Sequence, residues 1–177
     1  MKRQKAINTT GLILIILLII IVILAYNIIQ DQKQTIEIQK PRPIMLYENT
    51  ENTQEIGFRI FSLINIARET RGLPELKYSP LLSQAGYNHA KDLLEFNYWA
   101  HNREDKQFKN FVKELGIEYK QLAENLAKDQ KSAGEIIDDW LKSESHRAIL
   151  LDDYQEAGVG VIKKDDDKLL VSAYFIK

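Results

Sequence analysis

The chain has 177 residues, 45% of them hydrophobic, with 24 Lys and Arg against 25 Asp and Glu and no Cys. This composition suits one globular domain plus an additional segment, and it excludes disulfides and thiol catalysis. The first ten residues carry three of the basic side chains and no acid, which leaves 21 basic against 25 acidic residues and a net charge of −4 for the rest. A nucleic-acid or anionic-lipid surface is therefore not expected as the main partner.

The additional segment comes first. Residues 12–25, LILIILLIIIVILA, are unbroken hydrocarbon, and Ile28 and Ile29 prolong the run. From Gly11 to Ile29 a helix would span about 28 Å, enough to cross a bilayer core. Lys2, Arg3 and Lys5 precede it, so the positive-inside bias predicts a cytoplasmic N-terminus and an exported remainder. A cleavage site after Ala25 would place bulky Ile23 at −3, so the segment reads as an uncleaved signal-anchor, with a secreted form only if it is cut. The expected layout is a cytoplasmic basic tail over 1–10, a transmembrane anchor over 11–29, a linker over 30–52 and a globular domain over 53–177. The linker is polar, with Pro41 and Pro43, and has room for one short extended stretch.

Within the domain, Ile56, Ile60, Leu63, Ile64 and Ala67 recur at helical spacing and predict a helix over 53–71, stopped at Gly72-Leu73-Pro74. Ser79 and Pro80 open a second, with Leu82, Ala85, His89 and Leu93 on one stripe. A third is predicted over 105–115, carrying Phe108, Phe111, Val112 and Leu115 and ending at Gly116. Ser132 and Glu135 form a capping box that opens a fourth helix running to about Ser143. EAGVGVI and LLVSAYFI then switch to strand character on either side of the charged turn KKDDDK, and a further strand is placed near 117–122. The turn lacks the spaced acidic ligands of a calcium loop. Helices first and strands last predict an α+β layered domain.

Polar groups able to carry chemistry are few. His89 lies on an apolar stripe and reads as a packed, hydrogen-bonded core residue. His101 falls in the loop NYWAHNRED, and His146 opens a short helical turn in WLKSESHRAIL. Glu124 and Asn125 interrupt the apolar run LAENLA, so they must be buried and paired or turned toward a cleft. Two neutral imidazoles can hold Zn²⁺ or a similar ion, with a nearby Glu as ligand, orienter or base. The separations, 23 residues from His101 to Glu124 and 22 to His146, are far from those of compact metal motifs. The alternative has His146 capping a helix and Glu124 accepting backbone hydrogen bonds. No G-x-S-x-G, phosphate loop or Rossmann glycine pattern is present, and Ser143 and Ser145 have no orienting third group beside His146. Phe108, Phe111 and Trp140 are assigned to the core by their helical spacing.

The order of segments resembles the CAP superfamily (cysteine-rich secretory proteins, antigen 5 and pathogenesis-related 1, also called SCP domains). SLINIARETRGLPELKYSPLLSQAGYNHAKDL resembles its opening IN-x-x-R and G-L-x-x-L segments and the following helix. WAHNRED resembles its His loop, LAENLA its G-E-N-[LI]-A, WLKSESHRAIL its W-x-x-S-x-x-H-R segment, and YQEAGVGVI its closing G-V-G-V strand. The likeness covers roughly residues 55–176. It implies a CAP-type α-β-α sandwich, here preceded by one transmembrane helix, with a cleft lined by two His and two acidic residues that binds a divalent ion in some members. Carried over residue by residue, His101, Glu124 and His146 line the cleft, with Asn125 and Ser143 beside them, and His101 and His146 are the metal candidates. Two departures stand out: Ala123 replaces the Gly before E-N, and Ser143 stands where the second acid is expected, Glu144 being rotated about 100° away on a helix.

Three functions are then in contention. The first is a membrane-anchored, extracytoplasmic, non-enzymatic cleft-binding module for a small ligand, lipid or cell-envelope component, with or without zinc or another divalent cation. The second is a metal-assisted hydrolase of envelope polymer or peptide in which Glu124 is the catalytic base. The third is an envelope-assembly or adhesion protein acting through a surface outside the cleft.

Overall fold

The computed structural model describes residues 9–39 and 51–177. Two units are distinguished, Met1–Ile44 and Met45–Lys177. The described residues of the first form one helix, α1 (Thr9–Gln39). It contains the one stretch among the described residues, Ile13–Gln30, that is long and apolar enough to cross a membrane. The helix continues ten residues past the expected anchor end at Ile29, so the first part of the expected linker is helical. Residues 1–8 and 40–50, which include most of the expected basic tail and part of the linker, lie outside the described residues.

The second unit is a three-layer sandwich. Its elements are α2 (Glu51–Glu69), β1 (Lys77–Tyr78), α3 (Pro80–Glu95), β2 (Asn102–Arg103), β3 (Lys106–Gln107), α4 (Phe108–Lys113), β4 (Leu122–Lys128), α5 (Ala133–Lys142), α6 (Glu144–Leu151), β5 (Glu156–Lys163) and β6 (Leu169–Ile176). The main sheet has the order β1-β5-β6-β4, with β1 parallel to β5 and the other pairs antiparallel. Side chains alternate across it. Leu169, Val171, Ala173 and Phe175 of β6 pack with Ala157, Val159 and Val161 of β5 against α2, α5 and α6. Tyr174, Ile176 and Leu170 face the other way, toward residues of α3 and α4.

Local chemistry accounts for the helix ends. Gly72 and Gly116 adopt φ of +69° and +72°, the left-handed geometry that closes α2 and the turn after α4. The Ser79 hydroxyl accepts from Leu82 N at the start of α3, with Pro80 in the first turn. Asn65 and Arg68 explain the IN-x-x-R segment. Asn65 exchanges two hydrogen bonds with the backbone of Leu76. Arg68, 1% exposed, donates to the carbonyls of Pro74, Leu150 and Asp152 and ties the end of α2 to the end of α6.

Three local expectations are corrected. The third helix is shorter than 105–115, because Asn102–Arg103 and Lys106–Gln107 pair as a small ribbon and Asn102 Oδ1 accepts from Phe108 N. The strand expected near 117–122 begins at Leu122 and takes in all of LAENLA, which is in register with β6. At the start of α5, Ser132 accepts from Glu135 N as expected, but the Glu135 carboxylate reaches Lys131 N rather than the Ser132 backbone.

The closing G-V-G-V strand is explained by the approach of α3. A Cβ on Gly160 would lie 1.8 Å from Tyr87 N, and one on Gly86 would lie 2.3 Å from the Ser172 carbonyl oxygen. Backbone meets backbone there, with no room for a side chain. This contact brings His89, three residues after Gly86, down onto the sheet.

Candidate functional site

The site is built around Glu124. The β4–β6 register sets Glu124 opposite Tyr174 and Leu126 opposite Ser172, so Glu124, Tyr174 and Ser172 share the face toward α3. The Glu124 side chain is 1% exposed. Its Oε1 accepts from His89 Nδ1 at 2.5 Å and from Ser172 Oγ at 2.6 Å. Its Oε2 accepts from His101 Nδ1 at 2.8 Å. Burial pushes the carboxyl pKa up, but the hydrogen bonds from His101, His89 and Ser172 outweigh it and hold Glu124 below the ordinary carboxylate range.

His101, in the loop after α3, is the exposed end of this network, its side chain 51% accessible. The Glu124 hydrogen bond raises its pKa against the lowering effect of burial. The Phe108 ring stands edge-on to it at 6.2 Å and stacks on Tyr174, also at 6.2 Å. His89 is the buried end, 0% exposed and stacked on Phe111 at 4.5 Å. Tyr174 donates its hydroxyl proton to the Phe108 carbonyl, and its oxygen lies 3.2 Å from His89 Nδ1.

Asn125 points to the opposite face. It is fully buried, and its Nδ2 donates to the His146 carbonyl at 3.1 Å. This links the edge strand β4 to the first turn of α6. The α6 cap is Ser143, so His146 is not a capping residue. Its ring lies 6.5 Å from the buried Trp140 ring. Burial lowers its pKa, and the His101 charge lowers it further. Among the described residues no hydrogen bond joins the His146 ring to Glu124. The Ser143 hydroxyl lies 3.3 Å from that of Ser145.

The sequence-predicted residues thus fall into two pairs and one separate residue. His101 and Glu124 are bonded directly; Asn125 and His146 are joined through the backbone carbonyl; Ser143 stands at the helix cap. Phe111 and Trp140 are core, at 2% and 1% exposure, whereas Phe108, half-buried, borders His101. His89, Ser172 and Tyr174 were not among the expected site residues. Their signal was weak but present: a histidine on an apolar helical stripe, and a polar pair two residues apart in the last strand.

The donor set can be compared with what a metal requires. Protein-bound zinc takes three or four protein ligands. Among the described residues no group of three or more His, Cys, Asp or Glu side chains is placed to hold an ion. Both Glu124 oxygens are committed inside the protein, which leaves the two imidazoles as donors. The residues do not fit a resident three-ligand zinc centre. Glu124 instead resembles the carboxylate that orients a histidine from behind. An open concavity of about 530 Å³ is lined by Lys113, Gly116, Ile117, Glu118 and Tyr119, and by none of these groups.

The model of the CAP (cysteine-rich secretory protein) family matches residues 61–175, well over half of the chain. The chain belongs to the CAP family. Its CAP domain is 30% identical over 132 residues to the Bacillus subtilis uncharacterized membrane protein YlbC, covering 72% of this chain and 38% of that protein. It is 32% identical over 108 residues to the B. subtilis uncharacterized protein YkwD, covering 59% of this chain and 42% of that one. The matches thus span about two-fifths of the length of these curated relatives. Among solved structures, an extracellular SCP-domain protein of Bacillus anthracis aligns with a TM-score of 0.65 and 25% identity, over 73% of this chain and 44% of that one. An outer surface protein of Borrelia burgdorferi aligns at 0.64 and 21%, over 73% and 95% of the respective chains, and supports the fold alone.

Proposed function

We propose that this CAP domain is a non-enzymatic binding module, held at a membrane by α1 and displayed on the extracytoplasmic side. Its cleft takes a small ligand, lipid or cell-envelope component through His101 and His146. The observation that carries this reading is the commitment of Glu124: 1% exposed, with both oxygens receiving hydrogen bonds from the protein's own side chains. A general base on a metal-bound water needs a free oxygen within reach of that water. The Glu124 side chain is buried and its Oε2 already accepts from His101, so its part is to orient that imidazole. Membrane attachment is supported by the apolar helix and by the likeness to a protein named as a membrane protein. Orientation rests on the charge bias of Lys2, Arg3 and Lys5.

The test uses the full chain in detergent micelles, beside His101→Ala and His146→Ala, with soluble cell-envelope glycan fragments and short-chain phospholipids as probes. A ligand that raises the wild-type Tm and leaves both variants unmoved supports the cleft. A shift of equal size in all three proteins sinks it and points to a surface elsewhere.

A further inference from the structure

We propose that His89, buried beneath the cleft, is a positioning residue that sets the tautomer and orientation of His101 through Glu124. The inference extends the cleft reading by adding a residue to it, and it concerns the unliganded protein.

An ionised carboxylate only accepts hydrogen bonds. Each short contact to Glu124 therefore requires a hydrogen on the imidazole nitrogen that makes it, which places Nδ1–H on both His89 and His101. A neutral His101 then turns a bare Nε2 outward. For this to hold, Oε2 must stay aimed at the loop while Glu124 remains ionised in the core. Burying a carboxylate is costly unless several donors offset it, and apart from His89 the donors described for Glu124 are the Ser172 hydroxyl on Oε1 and the half-exposed His101 on Oε2.

His89 is the fully buried imidazole donor. Its ring cannot move: it is 0% exposed, stacked on Phe111 at 4.5 Å and 15°, and set against Tyr174 Oη at 3.2 Å. Tyr174 is itself held, since its hydroxyl donates to the Phe108 carbonyl. The Phe108 ring then lies on Tyr174 and edge-on to His101. A continuous run of packed rings and hydrogen bonds thus leads from the core to the exposed imidazole. His89 Nε2 is buried and has no hydrogen-bond partner among the described residues. An unsatisfied polar atom in the core costs stability, so a purely structural role would be better served by an apolar ring at this position. Nδ1 is the functional end of the residue.

The chain has three histidines, so long-range ¹H–¹⁵N correlation spectra of the full chain in micelles resolve each imidazole, assigned by single substitutions. In the wild type at high pH, His101 is expected as the Nδ1–H tautomer. His89→Phe keeps the stacked ring and removes the donor, and should return His101 to the mixture dominated by Nε2–H that free imidazoles adopt. His89→Asn puts an amide N–H near the former Nδ1 and should restore the wild-type pattern. His89→Gln, of similar polarity but with its donor near the former Nε2, should not; this pair decides the matter should the Phe variant fail to fold. His101 ¹⁵N shifts unchanged in His89→Phe, or equal in the Asn and Gln variants, overturn the proposal. Ligand binding does not enter the readout, so failure here is distinguishable from failure of the cleft reading.

Discussion

Glu124 and Asn125 are neighbours in sequence and hydrogen-bond on opposite faces of the sheet. Glu124 meets His89, His101 and Ser172 under α3, whereas Asn125 reaches the His146 carbonyl under α6. The two-residue period of a strand does this. The E-N pair of β4 therefore ties the His101 loop to one face of the sheet, through a side chain, and the first turn of α6 to the other, through a backbone carbonyl.

Replacing the acceptor of that clamp should be expensive. Glu124→Gln keeps the shape but turns an N–H₂ group toward an imidazole N–H or a hydroxyl in a dry site. A loss on the order of 2–4 kcal/mol is expected. Urea unfolding followed by the fluorescence of Trp99 and Trp140, both in the CAP domain, measures it. A change below about 0.5 kcal/mol, the usual range for surface sites, would show that the carboxylate is not the acceptor described.

The pH dependence has two imidazole contributions of opposite sign. His101 has a folded-state pKa raised by Glu124. Its stabilising effect is full below the unfolded imidazole value of about 6.5 and fades as pH rises through the higher folded pKa. His146 has a folded-state pKa depressed by burial and by His101. Its contribution is present above about 6.5 and is lost as pH falls. His101→Gln should therefore narrow the gap to wild type as the solution becomes alkaline, and His146→Gln should do so as it becomes acid. Urea midpoints across pH 5 to 9 give the comparison, and parallel curves for all three proteins would contradict it.

Gly160→Ala should be among the most damaging single changes. Its new methyl would meet the Tyr87 amide nitrogen and the Gly86 carbonyl carbon at 1.8 and 2.1 Å, backbone atoms that cannot rotate away. Forcing α3 off the sheet is expected to cost about 3 kcal/mol or more and to separate His89 from Glu124. The same urea series reads the first effect, and the His89 imidazole ¹⁵N shifts read the second.

Arg68→Lys tests the latch between α2 and α6. One ammonium cannot reproduce a fork that donates to Pro74, Leu150 and Asp152. A destabilisation of about 2–3 kcal/mol is expected from the carbonyls left without a donor. A midpoint equal to wild type would mean that the three contacts are replaceable.

Zinc titration by calorimetry separates an imidazole pair from a complete centre. With both Glu124 oxygens committed, binding should be weak and should disappear in both His101→Ala and His146→Ala. Tight one-to-one binding by the wild type would require a third donor and a rearrangement of Glu124.

Much of this architecture was legible from residue order alone, because it rests on short-range physics. Helical spacing of apolar residues, Ser79-Pro80, Ser132 and the left-handed positions at Gly72 and Gly116 act within a few residues, and the predominantly apolar stretch from Gly11 to Ile29 states its membrane-spanning length directly. The candidate residues His101, Glu124 and His146 were legible as polar groups in unusual places and through their likeness to family motifs. What tertiary structure alone decided was how they are joined. The partners of Glu124 lie 35, 23 and 48 residues away in the chain, and no local pattern specifies a pairing over such distances. The β4–β6 register put Ser172 and Tyr174 on the Glu124 face, and the bare backbone of Gly86 and Gly160 let α3 descend far enough for His89 to reach it. A histidine that reads as plain core in one dimension became the inner end of the site, because burial and hydrogen bonding are properties of the packed layers and not of the stripe.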